Sequence, residues 1–295
     1  MTAPNQHEII VEIGPFQEWQ GKQGSGEIRI VSNGDINSMK VKVHIEKTIV
    51  AVPNAARISI WNLSQSTINA IRTAASEVKV YAGLQGHPKE YLYRGSLRAT
   101  VTQRSGTDYI TTLVCKTAES NLIRSIVSKT WTADVPVDQV VKEIVATIPN
   151  VIYDPQNKEI RGKIGYKGFS YVGTAMDALK KLANQYGFSW NINNGVFVAK
   201  MDGEPKKTGI LLNSKGGLRK VSPRLSGIMQ IQQGVDIYSD YRQNVEPGHL
   251  IRVESTVNPE LNGNYDVHTV EYDLSPKDSE WSMSISTFIF QGAMQ

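Results

Sequence analysis

Residues 56–64 read Ala56-Arg57-Ile58-Ser59-Ile60-Trp61-Asn62-Leu63-Ser64. Three more segments follow: Val78-Lys79-Val80-Tyr81-Ala82-Gly83-Leu84, Leu92-Tyr93-Arg94-Gly95-Ser96-Leu97 and Tyr109-Ile110-Thr111-Thr112-Leu113-Val114-Cys115. Apolar and polar residues alternate in each, which is the period of a strand with one buried face. Between the first two, Ser64 or Ser66 can cap a short helix by accepting backbone N–H groups that otherwise lack partners. Ile68, Ile71 and Ala75 then share one helical face. The order is strand, helix, strand, strand, strand, with almost no side chain suited to chemistry. It reads as structural casing rather than as an enzyme.

The same alternation extends towards the N-terminus. Glu8–Ile13, Glu27–Val31 and Ser38–Ile49 are strand-like, and Gly21 to Gly26 should turn. In Met39-Lys40-Val41-Lys42-Val43-His44-Ile45 the odd positions are apolar, so His44 is expected on the wet face. Past Ala118 the period changes. Ser120 to Ser128 looks helical, and Asp134-Val135-Pro136 looks like a helix start. Val137, Val140, Val141, Ile144, Val145 and Ile148 form an apolar stripe, which leaves Asp138 and Glu143 as expected solvated charges. Thr174 can cap a further helix carrying Met176, Leu179, Leu182, Ala183 and Tyr186, with Gly187 at its C-terminus. Phe188–Ile192 and Val196–Ala199 flank Asn193-Asn194-Gly195, a hairpin signal. Gly203 to Gly217 reads as a linker. Strand-like segments then return at Met229–Val235, Leu250–Thr256, Gly263–Tyr272 and Trp281–Phe290.

The expected fold is therefore mainly β with an α/β insert, the order along the chain being β, then α/β, then β. The boundaries are 1–117, 118–210 and 211–295, the insert dividing into about 118–160 and 161–210. A chain of 295 residues with 40% hydrophobic content is long enough for several cores.

The net charge of +4 is spread along the chain, the densest pairs being Lys206-Lys207 and Arg219-Lys220. Phosphate binding would call for a concentrated stripe. Cys115 is the single cysteine, which excludes an internal disulfide and a Cys-rich metal site; in its strand it reads as a small buried hydrophobe. His7, His44, His87, His249 and His268 are scattered, with no two at metal-ligand spacing; His249 and His268 could meet across a sheet. Asp266, Glu271 and Asp273 cluster near a turn, as a solvated acidic edge or a cation site. No nucleophile elbow or phosphate loop is present, and Gly21, Gly24 and Gly26 have the wrong spacing for a dinucleotide fingerprint. No cofactor and no metal site are expected. Residues 1–12 lack the pattern of a signal peptide, and no apolar run approaches the ~20 residues that span a bilayer. Folding in a cytoplasm and no stable membrane association are the expectations.

Ile58-Ser59-Ile60-Trp61-Asn62-Leu63-Ser64 resembles the "Ile-x-Ile-aromatic-Asn-Leu-Ser" step of phage tail baseplate hub proteins. Val78–Gly83 resembles their "Val-x-Val-x-Ala-Gly" strand, and Tyr93-Arg94-Gly95-Ser96-Leu97 their "aromatic-x-Gly-x-Ile/Leu" strand. Pro247-Gly248-His249-Leu250-Ile251-Arg252-Val253 with Gly263-Asn264-Tyr265-Asp266-Val267 is similar to the "Pro-Gly-x-x-Val-x-Val … Gly-x-Tyr-x-Val" pattern of the hub's second barrel. Tyr186-Gly187-Phe188-Ser189-Trp190 resembles the peripheral insert. The resemblance implies two small antiparallel β-barrel (tube-type) domains bracketing a peripheral α/β region, in a non-enzymatic homotrimer that forms a pseudo-sixfold ring. That ring adapts a hexameric tail tube to a trimeric central spike and lines a channel through which DNA passes as transient cargo. It is related to the base of the type VI secretion spike. Implied partners are further copies of the chain, the tail tube protein, the central spike protein, baseplate wedge proteins and the tape measure protein. The implied place is the virion tail baseplate, assembled in the host cytoplasm, with a contractile tail favoured. Trp61, Asn62, Leu63, Gly83, Gly95, Pro247, Gly248, Gly263 and Tyr265 are the structural and interface candidates. Two rival readings stand beside it, a tail-associated cell-wall-degrading enzyme and a nucleic-acid-binding β-barrel protein. In the hub reading Trp61, like Trp131 and Trp190, is a core or interface anchor. Removing a buried Trp61 ring would cost roughly 3–5 kcal/mol.

Overall fold

A computed structural model of the chain describes residues 7–14, 28–74, 77–117, 119–155, 157, 159–206, 209–226, 231–278 and 280–289. Strands occupy 54% of the chain against 16% for helices, so the protein is mainly β. The chain divides into two compact units. The first comprises residues 1–46, 54–117 and 271–283; the second comprises 47–53, 118–270 and 284–295.

Unit 1 begins with β1 (His7–Gly14), β2 (Ile28–Ser32), β3 (Val41–Thr48) and β4 (Ala55–Trp61). Helix α1 (Gln65–Ala74) leads into β5 (Glu77–Leu84), β6 (Glu90–Ser105) and β7 (Asp108–Lys116). These match the alternating segments of the sequence. Ser64 Oγ accepts the Thr67 N–H at 3.1 Å as the expected cap of α1, and Ile68 and Ile71 are buried. Gly21 to Gly26 and Ala75 lie outside the described residues.

The ladder of β3, β4 and β7 is antiparallel throughout. Its register aligns three cross-strand rows: Val41 with Ile60 and Thr111, Val43 with Ile58 and Leu113, and Ile45 with Ala56 and Cys115. Every member of these rows is at most 1% exposed. Side chains on a strand alternate with period two, so a slip of one residue would send a whole row to the opposite face. The rest of the path runs from β7 through β6, β5 and β1 to β2. The His7 ring on β1 stacks on Trp281 with centroids 4.2 Å apart and 1° between planes. Strands distant along the path are thereby brought into contact within this unit.

Unit 2 contains the insert. It comprises α2 (Glu119–Arg124), β8 (Ile126–Trp131), α3 (Val137–Val145), β9 (Ile152–Tyr153), β10 (Phe169–Thr174), α4 (Ala175–Tyr186), β11 (Phe188–Asn193) and β12 (Val196–Met201). The helix expected over 120–128 stops at Arg124, and Ile126 enters β8, which pairs with β10. Short polar α2 is followed by two β-branched residues, Ile126 and Val127, which suit the strand. Thr174 caps α4 through the Asp177 N–H at 3.2 Å, and Gly187 ends it at φ +68°. Asn194 and Gly195 both have positive φ, the geometry that turns β11 into β12. The α3 stripe, Leu179, Leu182, Trp131, Trp190 and Phe197 form one apolar core drawn from residues 122–199.

Asp138 is not a solvated charge; Glu143 stays partly exposed but is held by three partners. Asp138 is 6% exposed and accepts from the Tyr153 hydroxyl at 2.6 Å and the Ile160 N–H at 3.2 Å. Burial would raise its pKa, but these bonds and the ion pair with Lys142 lower it. Glu143 accepts from Lys129 Nζ at 2.9 Å, the Trp131 indole N–H at 2.6 Å and Gln139 Nε2 at 3.0 Å. Those bonds, Lys129 foremost, lower it to about 2. The helical period assigned both residues to a polar face; it carries no information on the tertiary neighbours that cover that face.

The chain closes with β13 (Ile210–Asn213), β14 (Leu218–Ser226), β15 (Ile231–Asp240), β16 (Leu250–Glu254), β17 (Gly263–Ser275) and β18 (Glu280–Ile289). The path is β14-β15-β18-β17, with β16 on β17 and β13 on β16. β13 lies inside the stretch expected to be a linker. It pairs in parallel with β16, a partnership that local composition does not encode.

Two outcomes follow from this packing. Ile58 lies at the centre of its row, so Ile58→Ala should cost about 2–5 kcal/mol in denaturant unfolding, more than Trp61→Ala, at a partly exposed position. Glu143 has a folded-state pKa below its ordinary 4.5. Its stabilisation is complete above that value and is lost as pH falls towards about 2. The thermal midpoint should accordingly drop less over this range in Glu143→Gln than in the native chain.

Candidate assembly surfaces

In unit 1 the strand-to-helix step is built around Asn62, which sits in the left-handed region at φ +56°. Asparagine tolerates that conformation better than most residues. Its Oδ1 accepts the Tyr109 N–H at 2.9 Å, and its own N–H donates to the Tyr109 carbonyl at 2.8 Å. Its Nδ2 donates to Asp108 Oδ1 at 3.0 Å. Asn62 thus fastens the end of β4 to the start of β7 and satisfies backbone groups there. Leu63 is 9% exposed and seats the entry to α1. Trp61 is partly exposed, with the Lys40 ammonium 4.7 Å from its ring centroid.

Gly95 lies on β6 where a Cβ would fall 2.2 Å from the Tyr93 hydroxyl and 2.9 Å from the Lys116 carbonyl. Tyr93 is 1% exposed, so no larger residue fits there without moving a buried ring. At Gly83 a Cβ would press on Lys89 and the Pro88 carbonyl at 3.1–3.3 Å. Beyond Leu97 the outer part of the β6–β7 hairpin is mostly exposed, Val101 and Tyr109 included.

In unit 2, Pro247 and Gly248 are buried. Gly248 has φ +87°, and a Cβ there would meet Ile49 and Lys200 at 3.3–3.4 Å. Its N–H donates to the Val267 carbonyl at 2.7 Å, and its carbonyl accepts from the Lys206 N–H at 2.8 Å. Tyr265 is 5% exposed, and its hydroxyl donates to the Leu261 carbonyl at 2.9 Å. It opposes Ile251 in the ladder, and Gly263 opposes Val253.

Beside this turn lies a buried ionic group that sequence patterning did not flag. Lys47, 1% exposed, donates to Glu246 Oε1 at 3.3 Å, and Asn193 Nδ2 donates to the same oxygen at 3.1 Å. Burial would raise Glu246, but Lys47 and His249 lower it. Lys200 pairs with Asp266. Asn191 Nδ2 donates to the Val50 and Val52 carbonyls at 2.6 and 2.8 Å, which ties residues 47–53 to the insert. A lysine on the apolar side of an alternating strand was the available signal.

The residues that might have carried chemistry are engaged otherwise. His44, expected to be solvated, shares a proton-bearing contact of 2.9 Å with Asp273. Asp266, Glu271 and Asp273 do not converge: Asp266 takes Lys200 and Asp273 takes His44. His249 Nδ1 lies 3.0 Å from the Asn244 carbonyl, and burial followed by Arg224 lowers the His268 pKa. Among the described residues no group of three His, Cys, Asp or Glu side chains could hold a metal ion. Cys115 is fully buried, which pushes its thiol up to about 12, a poor nucleophile at neutral pH. Among the described residues no helix is long and apolar enough to cross a membrane.

Several solved structures share this fold. A tail protein from Neisseria meningitidis MC58 aligns with a TM-score of 0.62 at 12% identity, covering 96% of each chain. The 43 kDa tail protein of prophage MuSo2 from Shewanella oneidensis gives 0.63 at 12% identity, covering 96% of this chain and 98% of that one. The E. coli c3393 protein is described as a type VI secretion component with structural similarity to T4 tail proteins gp27 and gp5. It gives 0.56 at 10% identity over 88% of this chain and 76% of its own. No curated protein matches the sequence. The model of the family described as "Baseplate hub gp41" matches residues 28–287, and the chain belongs to that family of structural phage tail hubs.

Proposed function

We propose that this chain forms the hub ring of a phage tail baseplate as a homotrimer. In this reading residues 1–117 and 211–295 each give one β-barrel tube domain and residues 118–210 form the peripheral insert. Three chains then supply six similar segments to a pseudo-sixfold ring. One side of the ring receives the hexameric tail tube and the other a trimeric spike, and DNA crosses the channel during ejection. The tail tube protein, central spike protein, wedge proteins and tape measure protein are the proposed partners. Assembly takes place in the host cytoplasm, the finished virion tail being the final location.

The observation that carries the reading is the family match over residues 28–287. Physical support comes from the strand edges. Among the described residues β2 and β14 stand at the two ends of the strand path. An unpaired edge leaves N–H and C=O groups that another chain can satisfy. Closed rings of identical subunits use such heterologous contacts. Trp61, Asn62, Leu63, Gly83 and Gly95 are assigned to the integrity of the first tube domain. Pro247, Gly248, Gly263 and Tyr265 are assigned to that of the second.

Native mass spectrometry of the full chain should give three times its 32.7 kDa, either alone or on addition of the trimeric spike. A chain that stays monomeric with both the spike and the tube protein overturns the reading. So does a monomer that digests cell wall through carboxylates whose replacement abolishes lysis.

A further inference from the structure

In unit 2, β13 and β16 are parallel and end side by side, Asn213 opposite Glu254. The chain leaves them in different directions. After Asn213 comes a single 3-10 turn (Ser214–Gly216); after Glu254 comes a loop leading to a second such turn (Pro259–Leu261). A polar cleft lies at this place, lined by both loops and by the start of β17.

The hydrogen bonds of the cleft leave it rich in donors. Asn213 Oδ1 accepts the Gly216 N–H at 2.7 Å, and Asn262 Oδ1 accepts the Ser255 N–H at 2.6 Å. Ser255 Oγ accepts the N–H groups of Val257 and Asn258 at 3.2 and 3.0 Å. These three side-chain oxygens are thus occupied by the loops themselves. The amide NH2 groups of Asn213 and Asn262 remain as donors, with the side chains of Asn264 and Lys215 beside them. Arg252 pairs with Glu254, its Nε 2.8 Å from Oε1, and its side chain remains largely exposed. Arg242 lies alongside, donating to the Leu211 carbonyl and 3.4 Å from a Cβ placed on Gly216. Lys215 and Arg252 against Glu254 give the lining one net positive charge, with Arg242 at its margin.

We propose that this cleft binds carboxylate side chains of an acidic peptide segment. A cationic lining in which the Asn213, Asn262 and Ser255 side-chain oxygens are already engaged, and the two amide NH2 groups are not, matches a group that only accepts. Sugar hydroxyls both donate and accept, and the lining holds no aromatic ring on which a pyranose could stack. A nucleic acid backbone would need a longer run of cations than these three. The assignment stands independently of the ring reading, since it uses only groups within unit 2.

The test is titration of the full chain with a fluorescently labelled peptide of alternating Glu and Gly, followed by anisotropy. Lys215→Glu with Arg252→Glu should weaken binding at least tenfold and leave the thermal midpoint unchanged. Glu254→Gln, which removes the one carboxylate of the site, should tighten it. Raising salt should weaken it further. No binding at millimolar peptide overturns the proposal. An affinity insensitive to both sets of substitutions overturns it, as does preference for a neutral oligosaccharide or for oligonucleotide phosphate.

Discussion

The register of β3, β4 and β7 is the constraint on which unit 1 depends. Three rows of mostly small and β-branched side chains are buried, and the backbone hydrogen bonds fix which residue faces which. Backbone pairing and apolar burial reinforce one another here, because a shift of either destroys both. Asn62 adds a stop to this ladder. Its contacts with Tyr109 lock the end of β4 to the start of β7 at the point where the chain leaves the sheet for α1. With that end fixed, α1 delivers Ile68 and Ile71 to the interior.

Unit 2 is held together differently. Its insert has a conventional apolar core, but several of its fastenings are charged or polar. Asp138 joins α3 to residues 153 and 160, and Glu143 joins it to β8. Lys47 and Asn191 tie residues 47–53 to partners far along the chain. Buried charges are costly unless paired and hydrogen-bonded, and the buried Asp138 and Lys47 have such partners. Their directionality favours one arrangement where apolar contacts alone would tolerate several.

Tail proteins with very different sequences can share this fold because the requirement is a pattern. A strand row accepts Val, Ile or Leu provided the period is kept, and a turn accepts whichever residue adopts its φ. Positions with no such latitude are few. Gly95 is one, since a buried tyrosine fills the space where a side chain would be. Surfaces are the opposite case. The cleft between β13 and β16 is defined by its own loops and charges rather than by the pattern that holds the sheet.

Most strands of unit 1, the caps of α4, the Asn194-Gly195 hairpin and the burial of Cys115 were legible in the sequence, because period, turn chemistry and capping act over a few residues. The hub family was legible too, from short motifs kept in order along the chain. Four things were decided by tertiary structure alone. The partial exposure of Trp61, the burial of Asp138 and Lys47, the strand within residues 203–217 and the meeting of β13 with β16 all depend on partners many residues away. Local sequence sets which conformation a segment prefers and which face it hides; it does not carry the identity of the distant atoms that cover that face. Long-range pairing settles that, and with it where charges are buried and where a cleft opens.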